Sequence, residues 1–173
     1  MKILVLTVSD SASRGARQDL AGPHIEKVLL HHFPEAAIAR FVAADDAAEI
    51  RRAFDEHADA EFVFTTGGTG ISPRDITPDV TAEYCERLIP GIPEMLRAES
   101  CKQTPYAALS RAVAGIHGTT IIVNLPGSLK GALLCTRLLI PIIGHAAKML
   151  AGEGHESYEP GALGLGSKDG LGR

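Results

Sequence analysis

Three short apolar runs in this sequence each end in a polar loop that carries glycine. Residues 3–8 lead into the loop 9–15, residues 61–66 into 67–75, and residues 119–124 into 124–131. Continuous apolar runs of this length are typical of strands buried on both faces of a parallel sheet. Because the carboxyl ends of parallel strands meet at one edge, the three loops are predicted to form one ligand pocket.

The segments between the first runs have helical spacing. Residues 19–32 place apolar side chains on one face, and Pro23, which a helix tolerates only in its first turn, indicates a start near Gly22. A second strand is predicted at 36–43, followed by a helix through Ile50. The βαβαβ order predicts a three-layer α/β fold, with a mostly parallel sheet and helices on both of its faces.

The second half of the chain is predicted to add a short antiparallel element. Strands at 109–113 and 119–124 flank residues 115–118, which can form a hairpin or a bent connection. Ser110 and Arg111 would lie in the first of these strands, either as a cross-strand surface pair or facing the pocket.

Helices are also predicted in this half. They lie at 80–88, 94–102 and 130–150, with a break at 90–93. Thr77 before Pro78 is a start signal for the first of them. Pro141 lies inside the last one and predicts a kink or a break there.

Length and composition favour one globular domain over residues 1–152, with residues 153–173 as a glycine-rich tail. The formal net charge of −4 argues against a nucleic-acid partner, which would favour a basic surplus. Three widely spaced cysteines suggest buried free thiols in a reducing compartment rather than a disulfide framework. We expect a cytoplasmic protein without a membrane-spanning or signal segment.

The loop Gly67-Gly68-Thr69-Gly70 can cradle a phosphate through its backbone N–H groups, although glycines also serve simply as tight turns. Asp75 follows this loop, and a carboxylate beside a phosphate calls for a cation between them. Mg²⁺ is commonly held by one or two carboxylates together with substrate phosphates. Asp45, after the second strand, is the second candidate ligand, with a helix cap as its alternative role. Asp79 fits the first turn of a helix.

These segments resemble the MogA/MoaB family of molybdenum-cofactor biosynthesis proteins. The matching motifs are TVSDSASRG with Asp19 and Gly22 after it, TTGGTGISPRDITPDVT, PGIPEMLR, LSRAVAGI and NLPGSLKG. They extend over residues 4–150 in the family's order, and the match is nearest to the molybdopterin adenylyltransferase branch.

The resemblance implies a molybdopterin-binding, MogA-like fold and a homotrimer. It also implies adenylylation, in which molybdopterin and MgATP give adenylyl-molybdopterin and pyrophosphate, with hand-off to a molybdate-inserting MoeA-like protein. The alternative is a non-catalytic MoaB-type carrier or scaffold for molybdopterin. Lys130 and Arg14 are candidate cations for the phosphates, and Lys130 could instead stabilise a helix start.

The site residues implied by the resemblance fall into two groups. Asp45 and Asp75 are the catalytic, Mg²⁺-binding carboxylates. The candidate residues for binding molybdopterin and ATP are Ser9, Asp10, Ser11, Gly67, Gly68, Thr69, Gly70, Ser110, Pro126, Gly127, Ser128 and Lys130.

Overall fold

The computed structural model describes residues 1–150 and residue 152, so the predicted glycine-rich tail lies outside the described residues. The strands are β1 Lys2–Val8, β2 Ala37–Ala43, β3 Phe62–Thr66, β4 Arg87–Leu88, β5 Ala114–His117 and β6 Thr120–Leu125. They form one sheet in the order β2-β1-β3-β6-β5-β4.

Strand direction divides the sheet into two parts. β1 pairs in parallel with β2 and with β3, and β3 pairs in parallel with β6. β5 is antiparallel to both β6 and β4, which confirms the short antiparallel element. The chain leaves β1 first for β2 on one side and then for β3 on the other. The carboxyl ends of β1 and β3 therefore flank the switch point at which open α/β sheets bind ligands.

Helices cover both faces of this sheet, which confirms the three-layer prediction. They are α1 Asp10–Ser13, α2 Ala21–His32, α3 Ala47–Glu56, α4 Thr77–Tyr84, α5 Gly91–Cys101 and α6 Leu129–Leu150, with a 3₁₀ helix at Pro105–Leu109. One buried cluster joins the sheet to α2, α5 and α6, and the other joins it to α3 and α4.

The apolar run of β1 shows why the sequence contains no alternation at this position. Ile3 and Val5 belong to the cluster under α2 and α6, whereas Leu4 and Leu6 belong to the cluster under α3. A central parallel strand covered on both faces needs apolar side chains at every position.

Helix α6 is continuous through Pro141, so the predicted break does not occur. Ala132, Cys135 and Leu139 are buried on its inner face, and the helix packs against α2 and the sheet. In the described part of the chain it is the one helix long and apolar enough to cross a membrane, and an 18-residue window within it has a mean hydropathy of 1.5. We expected no membrane-spanning segment, and α6 meets that description by length and composition only; in this structure it packs with α2 and α5 on one face of the sheet.

The predicted strand at 109–113 is wrong. Residues 105–109 form the 3₁₀ helix, and the strand begins only at Ala114. The backbone N–H of Arg111 donates to the carbonyl of Thr69 at 2.9 Å instead of to a neighbouring strand. Gly115 lies inside β5 rather than in a connection. A side chain at this position would be crowded, since a Cβ would stand 2.7 Å from the side chain of Cys85.

Two helix boundaries and one burial expectation also need correction. The helix predicted at 80–88 ends at Tyr84, since Arg87–Leu88 pairs with β5. The predicted break at 90–93 is instead the start of α5, whose first turn tolerates a proline. The cysteines are free, but of the three only Cys135 is buried, and Cys101 is exposed.

Candidate functional site

The three predicted loops meet around Gly67. This residue has φ +105°, and a Cβ on it would stand 2.2 Å from the carbonyl oxygen of Val8 at the end of β1. A Cβ on Gly127, from the loop after β6, would stand 3.1 Å from the Cα of Gly67. The hydroxyl of Thr66 donates to the carbonyl of Pro126 at 2.7 Å. Close backbone approach, which only glycine permits, brings the loops together.

Two clefts flank the glycine loop, and both include Gly127. The smaller has a volume of about 280 Å³, and the predicted residues lining it are Ser9, Asp45, Gly67, Gly68, Asp75 and Gly127. The larger has a volume of about 400 Å³, and the predicted residues lining it are Thr69, Gly70, Ser110, Pro126, Gly127 and Ser128. The glycine loop is thus the wall between the two clefts.

Asp45 is held beside this wall by the loop after β1. Its Oδ2 accepts the backbone N–H of Asp10 at 2.9 Å, and its own N–H donates to Asp10 Oδ1 at 3.1 Å. Its Oδ1 lies 3.1 Å from the position a Cβ on Gly68 would take. The helix-cap role belongs to Asp46, whose side chain accepts the N–H groups of Ala48 and Glu49. Asp45 therefore does not cap a helix, and it lines the smaller cleft.

Asp75 is held by a tight turn of its own loop. Its Oδ2 accepts the N–H of Ser72 at 2.9 Å, while its N–H donates to the Ser72 carbonyl at 2.9 Å. A Cβ on Gly70 would stand 2.9 Å from this same Oδ2. The turn fixes one carboxylate oxygen and directs Asp75 to the same cleft as Asp45.

This donor set fits a magnesium ion shared with a ligand better than a protein-only metal centre. Among residues 1–150 and 152, no group of three or more His, Cys, Asp or Glu side chains could hold a metal. Two carboxylates beside a glycine loop match the way Mg²⁺ is held by one or two carboxylates and substrate phosphates.

Three predicted residues lie outside the lining of both clefts: Asp10, Ser11 and Lys130. Asp10 positions Asp45 and pairs with Arg74. Burial alone would raise the pKa of Asp10, but the hydrogen bond from Asp45 and the Arg74 guanidinium hold that pKa below its usual value. The Ser11 hydroxyl lies 3.1 Å from that of Ser9. Lys130 is exposed in the first turn of α6.

Two charged residues that line the smaller cleft were not among the predicted site residues. Arg17 lines this cleft, whereas the predicted Arg14 does not. Asp19 also lines it, with Oδ2 accepting the Thr7 hydroxyl and Oδ1 the Gly22 N–H, both at 3.0 Å. The three-residue spacing from Asp19 to Gly22 was the available signal, because it is the spacing of a side chain that stabilises a helix start.

Thr77 adds an unusual buried hydroxyl to the wall. Its side chain is fully buried, its Oγ1 has no hydrogen-bond partner, and this atom stands 2.3 Å from where a Cβ on Gly68 would lie. Its N–H donates to the carbonyl of Gly68 at 3.1 Å. The start of α4 therefore packs directly on the back of the glycine loop.

The larger cleft has an apolar lining with a few polar groups. Pro93, Leu96 and Ala112 line it, and so does Tyr106, which is 79% exposed. Arg97 reaches across to donate to the carbonyl of Ala112 at 2.8 Å. A mostly apolar cleft with few fixed polar groups is typical of a site for a small organic ligand.

Fold and site together define an open α/β-sheet protein whose candidate ligand site lies at the carboxyl ends of its parallel strands. The model of the family described as "Probable molybdopterin binding domain" matches residues 4–145. The chain belongs to this family of molybdenum-cofactor biosynthesis proteins, which confirms the resemblance found in its sequence.

Relatives with established names agree. Molybdopterin adenylyltransferase of Helicobacter pylori strain J99 is 36% identical over 152 residues, which are 86% of each chain. The Escherichia coli K12 protein of the same name is 37% identical, over 75% of this chain and 69% of its own. This chain also matches a quarter of the Drosophila melanogaster protein named molybdenum cofactor synthesis protein cinnamon, at 35% identity.

Solved structures agree in fold. The molybdopterin biosynthesis enzyme MoaB from Thermus thermophilus has a TM-score of 0.79 at 36% identity, covering 90% of this chain and 99% of its own. A MogA structure has a TM-score of 0.81 at 32% identity, covering 87% and 99%. Both branches of the family therefore share this architecture.

Proposed function

We propose that this chain is a molybdopterin adenylyltransferase, which transfers AMP from ATP to the terminal phosphate of molybdopterin and releases pyrophosphate. One observation carries the proposal. Asp45 and Asp75 line one cleft, and the loop 67–70 separates that cleft from a second, larger one. Relatives at 36% and 37% identity bear the name of this activity. Two adjoining clefts suit a reaction that joins two substrates.

The linings of the two clefts differ in polarity and charge, which supports assigning a different part of the substrates to each cleft. We assign the pterin ring of molybdopterin to the larger cleft, since Leu96 and Pro93 offer apolar contact and Ser110 a polar group. We assign the triphosphate of ATP to the smaller cleft, where Arg17 supplies positive charge. The reacting phosphates would then meet over the glycine wall, within reach of its backbone N–H groups.

Asp45 and Asp75 would hold Mg²⁺, which would neutralise phosphate charge as the two anions approach. The chain's own task is to fix these two carboxylates, through the N–H groups of Asp10 and Ser72 respectively. Holding the reactants in register in this way accounts for a large share of catalysis in phosphoryl-type transfers.

The bond changes are those of a nucleotidyl transfer. An oxygen of the molybdopterin phosphate attacks the α-phosphorus of ATP, a new P–O bond forms, and the bond from the α-phosphorus to the bridging oxygen of the β-phosphate breaks. Pyrophosphate leaves with that oxygen and its electron pair. No separate general base is needed, because a phosphate monoester near neutral pH is already largely ionised.

We further propose that the protein works as a cytoplasmic homotrimer and passes its product to a molybdate-inserting MoeA-like protein. Support for an oligomer comes from α6, in which only 22% of an apolar 18-residue window is buried within one chain. Light scattering should give the mass of a trimer, and a monomer mass would contradict this part of the proposal.

Calorimetry with ATP and Mg²⁺, with and without molybdopterin, tests the proposal against a non-catalytic carrier. An adenylyltransferase should bind MgATP productively and release pyrophosphate when the pterin is added. Asp75→Asn should abolish turnover and leave molybdopterin binding within about 3-fold. Asp59→Asn, which alters an exposed ion pair with Lys2, is the matched control and should turn over normally. Pterin binding without any MgATP binding would instead support the carrier.

A further inference from the structure

Arg111 makes an unusual set of contacts with the loop that contains Asp75. Its Nε donates to the carbonyl of Gly70 at 2.9 Å, and its Nη2 donates to the carbonyl of Asp75. The same guanidinium binds both carboxylate oxygens of Asp79, at 2.9 and 2.8 Å. Its backbone N–H donates to the carbonyl of Thr69 at 2.9 Å.

These contacts join the two ends of one loop. Gly70 lies before the exposed residues 71–74, and Asp75 lies directly after them. Within the loop, the described hydrogen bonds are local ones among Ser72, Arg74 and Asp75. Arg74 also pairs with Asp10 outside the loop, but that contact does not join the loop's two ends. Arg111 therefore provides the link across the loop from outside, and Asp79 in the first turn of α4 fixes the guanidinium itself.

The segment that carries Arg111 is itself held in place. Residues 110–113 belong to no helix or strand, but the Val113 carbonyl accepts the N–H of Asn124 in β6 at 3.0 Å. Arg97 donates to the carbonyl of Ala112 at 2.8 Å. Ser110, next to Arg111, lines the larger cleft. The segment thus connects the larger cleft to the backbone of the loop that carries Asp75.

We infer that Arg111 is a positioning residue that keeps the carboxylate of Asp75 in its working place. It does so by holding the 70–75 loop closed at both ends. The inference rests on the proposed function, since it concerns the same site. Only arginine suits the task, because its planar fork presents donors in three fixed directions, whereas lysine offers a single compact ammonium.

The rate of a catalysed reaction depends strongly on the exact position of the groups at the reacting centre. A displacement of about 1 Å at a reacting centre can cost on the order of 100-fold in rate. Loss of the link should therefore lower kcat about 10- to 100-fold and raise the Mg²⁺ concentration needed for half-maximal rate. The KM for molybdopterin should change by less than about 3-fold, because the larger cleft keeps its lining.

The experiment compares Arg111→Gln and Arg111→Lys with Arg51→Gln in the full chain. Arg51 is the matched control because it forms an exposed ion pair with Glu83 on the side of α3 and α4. Steady-state rates over a Mg²⁺ titration give kcat and the KM for molybdopterin. Hydrogen exchange of the peptide containing residues 69–79, measured without substrates, reports loop closure independently of activity.

We expect both Arg111 variants to exchange at least 10-fold faster over 69–79 and to lose kcat, while Arg51→Gln matches the unaltered chain in both. Unchanged exchange in Arg111→Gln, or full activity in Arg111→Lys, would overturn the inference. The inference would also be overturned if the Arg111 variants lost molybdopterin affinity and thermal stability to the same degree as kcat. If the unaltered chain transfers no AMP, the proposed function fails, and the exchange comparison still decides the role of Arg111.

Discussion

Replacing Gly67 by alanine should destabilise the protein strongly, because two separate constraints act on this residue. Its φ of +105° lies in the region that side chains rarely adopt. A Cβ would also stand 2.2 Å from the Val8 carbonyl oxygen, a backbone atom that cannot rotate away. Relief would require the end of β1 to move away from β3, which opens the wall between the two clefts.

The cost can be estimated by comparison with Gly15. Gly15 has φ +70° but no atom within 4 Å of its Cβ position, so Gly15→Ala should cost only the backbone strain of about 1–2 kcal/mol. Gly67→Ala adds an overpacking cost of about 1–3 kcal/mol, for a total of about 2–5 kcal/mol. That is a large fraction of the roughly 5–15 kcal/mol that stabilises an ordinary domain.

Urea unfolding measures both variants. With a denaturant slope of about 2 kcal/mol per molar, Gly67→Ala should lower the midpoint by about 1–2.5 M, and Gly15→Ala by less than about 1 M. Gly67→Ala should also lower adenylyl transfer more than Gly15→Ala. A midpoint for Gly67→Ala equal to that of Gly15→Ala would refute the close approach of the loops after β1 and β3.

Other predictions concern single side chains. Asp46→Ala should cost about 1 kcal/mol in urea unfolding through the lost cap of α3, with adenylyl transfer unchanged. Asn124→Ala should cost about 2–4 kcal/mol in the same measurement, because the buried amide serves Thr65, Thr81 and Val113; a loss below about 1 kcal/mol would contradict this. The hydrogen bond from Arg111 holds the pKa of Asp79 below its ordinary 3.8, so their ion pair is complete above that pH and is lost as pH falls through the lowered pKa. Protection from exchange over residues 69–79, corrected for the intrinsic amide rate at each pH, should accordingly stay constant above pH 3.8 and fall only below it, and Asp79→Asn should remove that pH dependence.

Much of the fold could be predicted because buried strands appear in the sequence as apolar runs. β1 and β3 are buried on both faces, so their apolar residues do not alternate with polar ones. The loops after them carry glycine where backbones come close, as at Gly67. The three-layer arrangement and the convergence of the loops followed from these two signals.

The strand at 109–113 was misassigned because its apolar residues serve a different purpose. Leu109 and Ala112 line the larger cleft rather than a sheet face, and Arg111 bonds to the loop before α4. These are contacts between segments 41 residues apart, and local periodicity contains no information about them.

The spacing of residues in the sequence could not predict which charged side chains line the smaller cleft. Arg14 and Arg17 belong to one loop, and only its course after α1 decides that Arg17 lines the cleft. Asp45 and Asp46 both fit a helix cap in the sequence. The structure separates them because the N–H of Asp10 binds Asp45, a contact across 35 residues.

The proposed activity can be measured directly with purified molybdopterin and ATP labelled at the α-phosphate. In the presence of Mg²⁺, the account predicts label in adenylyl-molybdopterin and one pyrophosphate released for each product formed. It also predicts that Asp75→Asn yields no labelled product, while Asp59→Asn yields as much as the unaltered chain. Bound molybdopterin with no labelled product from the unaltered chain, at any Mg²⁺ concentration, would contradict the central claim.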